Sequence, residues 1–254
     1  MHYVPLSEVI AADGLRIVLV RGYPSPWGHA AKAMMEHKGL SYRVAAQQAM
    51  GSNEDLVAWA GTNSGPVVAW NREAPINRWN DILLLLERLA PNKPLIPDDP
   101  EQRVRLFGLS HEICGELGFG WNRRLDMIRP AMVSGKPPQS AAVMADKYGY
   151  DETSSAAAAR RAIAMMRHLT ATLHAQQAKG SPYLIGDSLT AADFYWAAFS
   201  NLVLIQSPEE CPLAPEVRPM FEHTSPEVAA AVDPILIAHR DRIMRAHFKL
   251  PMEL

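Results

Sequence analysis

The stretch LRIVLVRGYPSPWGHAAKAMMEHKG, Leu15 to Gly39, restricts the fold more than any other part of the chain. It opens on a run of Ile, Val and Leu that reads as a buried strand and breaks at Gly22 and Pro24. Trp27, Ala31, Met34, Met35 and Lys38 then follow at spacings of three and four, the pattern of a helix. Ser25 and Pro26 mark the helix start, with a hydroxyl side chain at the N-cap and a proline at the first helical position, where a missing N–H costs nothing. Strand, tight turn and helix together predict an α/β unit. Ser25 carries two readings: a helix cap alone, or a hydroxyl at the carboxyl end of a strand and the positive end of a helix, where α/β folds bind ligands. A hydroxyl so placed can donate to a bound thiolate.

Tyr42 to Ala46 reads as a second strand, which completes a parallel βαβ unit. Ser52 to Ala60 suits a short helix ended by Gly61, Gly65-Pro66 leads into a third strand through Trp70, and Ala74 to Ile76 is expected to add a short antiparallel fourth. Arg78 to Leu89 reads as a helix in which Ile82 to Leu86 are apolar on nearly every side, so it should be covered on two faces. Residues 1–14 read as an arm of unassigned structure. Pro91, Pro94, Pro97 and Pro100 break regular structure and predict a linker over 93–100, separating a unit over 15–92 from one over 101–254.

Beyond the linker the pattern is helical. Leu106, Leu109, Ile113, Leu117 and Trp121 recur at helical spacing, as do Ile163, Met166, Leu169 and Leu173 within Ala156 to Ala178. Met132 to Asp151 reads as including a surface loop, Ile235 to His247 as a helix, and Arg240, Arg242 and Arg245 as its solvated face. In Leu189-Thr190-Ala191-Ala192-Asp193-Phe194, Thr190 can cap a helix while Asp193 reaches back to the Thr190 N–H, a capping box with a structural role.

Charge and composition narrow the function. A net charge of -2 argues against broad nucleic-acid binding, which needs clustered positive charge to displace counterions. The longest apolar run is the five residues of Ile82 to Leu86, against the ~18 a membrane span needs, and the first residues lack the basic-then-apolar order of a secretory signal. Cys114 and Cys211 stand far apart with no CxxC spacing, which suggests neither a disulfide framework nor a metal site. A reducing, cytoplasmic setting fits.

SPWGHAAKAMMEHKGLSY, Gly65-Pro66-Val67 and YLIGDSLTAAD, in that order and spacing, resemble the soluble glutathione transferases from about Leu15 onward. The resemblance implies a thioredoxin-like α/β domain with a four-stranded mixed sheet, an all-α bundle, glutathione as cosubstrate, no metal, and a homodimer. It puts Ser25 where serine-type classes keep the hydroxyl that activates glutathione for attack on a small electrophile, as in detoxification. Pro66 falls at the family's cis-proline, with Val67 implied to pair with the cysteinyl part of glutathione. Where the family places an acidic residue followed by Ser, this chain has Arg78-Trp79, with Asp81 about a turn further on. Arg78 can bind a ligand carboxylate bidentately. The wall of the electrophile site is expected from Tyr23, Trp27, Trp121 and Arg124. Because of Arg78, two other readings stand beside the enzyme: a non-catalytic binder of a carboxylate ligand or a protein partner, and a transferase using a different thiol.

Overall fold

The computed structural model describes the backbone of residues 1–254 and every side chain except that of Ser154. The chain begins with helix α1 (Leu6–Ala11), then runs through β1 (Leu15–Val20), α2 (Pro26–His37), β2 (Arg43–Gln47), α3 (Glu54–Ala60), β3 (Val67–Trp70) and α4 (Trp79–Leu89). The strands lie in the order β2-β1-β3, with β1 parallel to β2 and antiparallel to β3. Alternation along β1 decides what covers each face. Leu15, Ile17 and Leu19 point into the large core shared with α2 and α4, whereas Val18 joins Val9, Ala45, Leu56 and Val67 in a smaller core beneath α1 and α3. Helix α1 is therefore part of the sheet's second layer, Val4 bridges to Ala45 beside β2, and Met1 and Tyr3 pack against the large core.

The expected fourth strand shrinks to a single bridge between Val68 and Ile76. Their two backbone hydrogen bonds, both 2.8 Å, are not extended. On one side the Trp70 carbonyl is taken by the Glu73 N–H of the turn at 3.0 Å, and on the other Pro66 has no N–H to offer.

The second part of the chain is helical: α5 (Pro100–Cys114), α6 (Phe119–Val133), α7 (Gln139–Tyr148), α8 (Glu152–Ser155), α9 (Ala158–Ala178), α10 (Ala191–Phe199), a 3-10 turn at Ser200–Leu202, α11 (Arg218–Glu222), α12 (Pro226–Ala230) and α13 (Pro234–His247). The region read as including a surface loop is thus mostly helix, because α6 runs through Pro130 and α7 follows within six residues. Arg240 is buried rather than solvated, donating to the Leu204 carbonyl at 2.6 Å and to Asp241 at 2.8 Å.

The two parts share one core. All nine residues of α10 are buried, and α10 packs on α2, α5 and α13. Gly120 lets α6 approach this hub, since a Cβ there would lie 2.3 Å from the Phe199 ring. Lys38 pins the linker: its buried ammonium donates to the carbonyls of Ala90 at 3.0 Å and Lys93 at 2.7 Å and pairs with Glu87 at 2.8 Å. No described helix is long and apolar enough to cross a membrane.

Candidate active site

Ser25 is the N-cap residue of α2, with extended backbone (φ -64°, ψ 112°), and Pro26 takes the first helical position. Its carbonyl starts the helix by accepting from the His29 N–H at 2.9 Å, and its N–H is bonded to the Tyr23 carbonyl at 2.8 Å. The hydroxyl makes no capping hydrogen bond among the described residues. It is half-buried and uncommitted at the carboxyl end of β1, so capping does not account for it.

One small cavity touches Ser25. It measures about 10 Å³ and is walled by Met1, Tyr3, Leu19, Gly28, His29 and Glu253, room for about one water molecule. Burial pulls the His29 imidazole down to about 4, so at neutral pH it is an uncharged neighbour and supplies no cation to a thiolate. Burial tends to raise the Glu253 carboxyl, but hydrogen bonds from Lys249, the amino terminus and Lys32 outweigh it and hold the group at about 2. Lys32 and Lys249 lie 3.0 and 2.6 Å from that carboxylate.

The peptide bond between Gly65 and Pro66 is cis. A Cβ at Gly65 would stand 3.5 Å from the Val20 nitrogen, at the end of β1 that leads to Ser25. Val67 does not offer its backbone to a ligand. Both polar groups of Val68 bond to Ile76, so by the alternation of an antiparallel strand those of Val67 point the other way, toward its partner Val18 in β1. The residue at the free end of the strand is Gly65, and its N–H already donates to Gln47 Oε1 at 2.8 Å.

Arg78, the N-cap residue of α4, is exposed. Trp79 packs instead among Phe107, His111 and Tyr195, with ring centres 5.6 to 6.5 Å away, and its carbonyl accepts from the Tyr195 hydroxyl at 3.3 Å. It joins α4 to the helical part. Asp81 lines a separate groove of about 310 Å³ that it shares with Glu73 and Arg88.

The four residues read as the electrophile wall do gather, through two aromatics that the sequence did not signal. Tyr148 has Trp27 at 6.4 Å and Trp121 at 5.0 Å, and Trp121 donates to its carbonyl at 2.9 Å. Phe221 has the Tyr23 ring at 6.5 Å, while the Arg124 guanidinium sits 5.6 Å from its ring centre. Trp27 is also a strut: its Nε1 donates to the Cys114 carbonyl at 2.8 Å and its ring meets Phe199 edge-on at 4.7 Å. Tyr148 follows Ala141 and Ala145 at helical spacing and Phe221 sits in a five-residue helix, so local pattern can bury both, but their distance in sequence from Tyr23 hides the contact.

The capping box at Thr190 and Asp193 is formed at the start of α10. The buried Asp193 carboxylate accepts from the Thr190 N–H at 2.8 Å, the Thr190 hydroxyl at 3.0 Å and the Leu184 N–H at 2.9 Å. Its role is structural.

No family model matches the chain, and no curated protein matches its sequence. Solved structures match its fold. A glutathione S-transferase domain-containing protein of Marinobacter aquaeolei VT8 aligns over 90% of this chain and 97% of its own, at 16% identity and a TM-score of 0.62. A rice glutathione transferase in complex with glutathione covers 94% of this chain and 93% of its own, at 17% identity and a TM-score of 0.59. A maleylacetoacetate isomerase of Methylobacterium extorquens AM1, with bound malonate and glutathione, covers 94% and 97%, at 16% identity and a TM-score of 0.57. The chain has the glutathione transferase fold, a thioredoxin-like unit followed by a helical one.

Proposed function

We propose that this protein is a serine-type, glutathione transferase-like enzyme in which the Ser25 hydroxyl donates to the glutathione sulfur and stabilises the thiolate for attack on a small electrophile. The observation that carries this is the uncommitted Ser25 hydroxyl at the mouth of α2, at the same end of β1 as cis Gly65-Pro66. A thiol of pKa ~8.5 is only a few per cent ionised at neutral pH. Lowering that pKa by about two units takes ~2.7 kcal/mol of preference for the anion. A helix terminus supplies ~0.3 to 1 kcal/mol and a hydrogen bond to a charged acceptor ~1.5 to 3, so the hydroxyl does most of it. The tripeptide lies outside the small Ser25 cavity, and Arg78 takes one of its carboxylates.

A second reading, a binder of a carboxylate ligand or a transferase using another thiol, is favoured by Arg78 and by the Gln47 side chain already bonded to the Gly65 N–H. Calorimetric titration with glutathione separates the two. The transferase reading expects saturable heat in the wild type, weaker by about tenfold in Arg78→Ala. Absence of heat in the wild type, with heat from another carboxylate, selects the binder.

The same reading includes a homodimer and a cytoplasmic setting. Leu84 on α4 is 43% exposed beside the groove of about 310 Å³, on a helix whose other central apolar residues are buried. A second subunit on that face would cover it. Sedimentation velocity at micromolar concentration is expected to give a dimer that Leu84→Glu dissociates, and a wild-type monomer would remove the proposal.

A further inference from the structure

The buried cations of this chain are Arg16, Lys32, Lys38, Arg123, Arg124 and Arg240. Five of them are answered by carboxylates or backbone carbonyls. Arg16 donates to the carbonyls of Val9, Ile10 and Asn71, Lys32 pairs with Glu36 and Glu253, Lys38 with Glu87, Arg123 with Asp126 and the Leu202 carbonyl, and Arg240 with Asp241 and the Leu204 carbonyl. Arg124 differs. It is 8% exposed, forms no ion pair among the described residues, and its Nε has no hydrogen-bond partner. A guanidinium cannot discharge itself by losing a proton, and burying one without a counter-charge costs several kcal/mol. Next door, Arg123 is paired with Asp126, and among the described residues no such pair is formed by Arg124.

What surrounds Arg124 is aromatic and basic. The guanidinium lies over Phe221 and beside Tyr148, whose phenol is pushed up by burial while the Arg124 charge and hydrogen bond oppose the rise. Lys147 is exposed, with its ammonium 5.8 Å above the Tyr148 ring, and both its desolvation there and the Arg124 charge lower its pKa. Tyr23, two residues before Ser25, meets the same Phe221 ring. A planar cation stacked on an aromatic ring, with an unpartnered Nε–H and a second cation at the solvent edge, matches a planar anion attached to a flat apolar body.

We infer that Arg124, backed by Lys147, is the anion-binding subsite for an aromatic ligand carrying a carboxylate, sulfonate or phosphate, held among Tyr23, Trp27, Tyr148 and Phe221. This deepens the transferase reading, on which it rests for the ligand's role as electrophile. The anionic group seats on Arg124 and the ring projects toward Ser25. In the conjugation, the glutathione sulfur bonds to the ring carbon bearing the leaving group, chloride departs with the bonding pair, and the thiol proton goes to solvent.

The test begins without any thiol, so that it stands apart from Ser25. The probes are 1-anilinonaphthalene-8-sulfonate and the neutral N-phenyl-1-naphthylamine, which differ by the sulfonate, titrated by fluorescence. Arg124→Met is expected to weaken the sulfonate about tenfold and the neutral dye less than about twofold, and Lys147→Gln to weaken the sulfonate about twofold to threefold. Arg124→Lys should recover part of the loss. Equal loss of both dyes, or loss of neither, overturns the subsite. Should Arg124→Met not fold, Lys147→Gln at its exposed position decides together with the wild type, from which 4-chloro-3-nitrobenzoate should displace the sulfonate dye and 4-chloro-3-nitrobenzamide should not. The same pair is then offered with glutathione, where the benzoate is expected to lead in kcat/KM by about tenfold and to lose that lead in Arg124→Met. Selective dye binding through Arg124 with no turnover of either compound keeps the subsite and removes the transferase reading. Equal turnover of both compounds and equal binding of both dyes removes the subsite and leaves the transferase.

Discussion

Ser25→Ala is expected to lower glutathione-dependent turnover by about one to two orders of magnitude, since a hydrogen bond to an anion is worth ~1.5 to 3 kcal/mol and each 1.36 kcal/mol is a factor of ten. The loss should appear in kcat and shrink as pH approaches the free thiol's own pKa, where the thiolate forms unaided. Stability gives the control. A helix whose cap is lost weakens by ~1 kcal/mol, but the Ser25 hydroxyl makes no capping bond, so the unfolding free energy of Ser25→Ala should move by no more than about 0.5 kcal/mol. Steady-state rates and urea unfolding on the same preparations check both halves. Wild-type turnover in Ser25→Ala refutes the role of the hydroxyl, and a stability loss near 1 kcal/mol would return Ser25 to being a helix cap.

Asp193→Ala has the opposite profile. The carboxylate is fully buried and accepts from two backbone N–H groups and the Thr190 hydroxyl, with His239 Nε2 a further 3.1 Å away. Removing it strands the Leu184 and Thr190 N–H groups, at ~1 to 3 kcal/mol each. The expected loss is about 3 to 5 kcal/mol in all, a fall in Tm of about 10 °C for a chain of this size. Asp193→Asn, which keeps one carbonyl acceptor, should fall between. Activity per folded molecule should hold, since no contact of Asp193 reaches the Ser25 cavity. A loss under about 1 kcal/mol by calorimetry and denaturant titration would show that the box does not anchor α10.

These two residues were legible because their signals are local. Ser-Pro at a strand-to-helix junction, and Thr followed three residues on by Asp, encode geometry within one turn of backbone. The periodicity of Leu15 to Gly39 likewise gave β1 and α2 and, through alternation, their buried faces. The fourth strand misled because its pattern said nothing of the Glu73 N–H that takes the Trp70 carbonyl. Val67 misled because which way a strand residue's polar groups point depends on which neighbour bonds the next residue.

By itself, then, the sequence determined the α/β start, the helical remainder, the Ser25 junction and the box under α10, all of them consequences of spacing and of side chains acting within a few residues. Only the tertiary structure decided that Trp79 is half-buried against the helical part, that Tyr148 and Phe221 join Trp27 and Tyr23, and that Arg124 is buried without an ion pair among the described residues while Arg123 has Asp126. The reason is physical: desolvation and counter-charge are set by everything that packs around a group, and the partners that pack around Arg124 come from segments far apart along the chain.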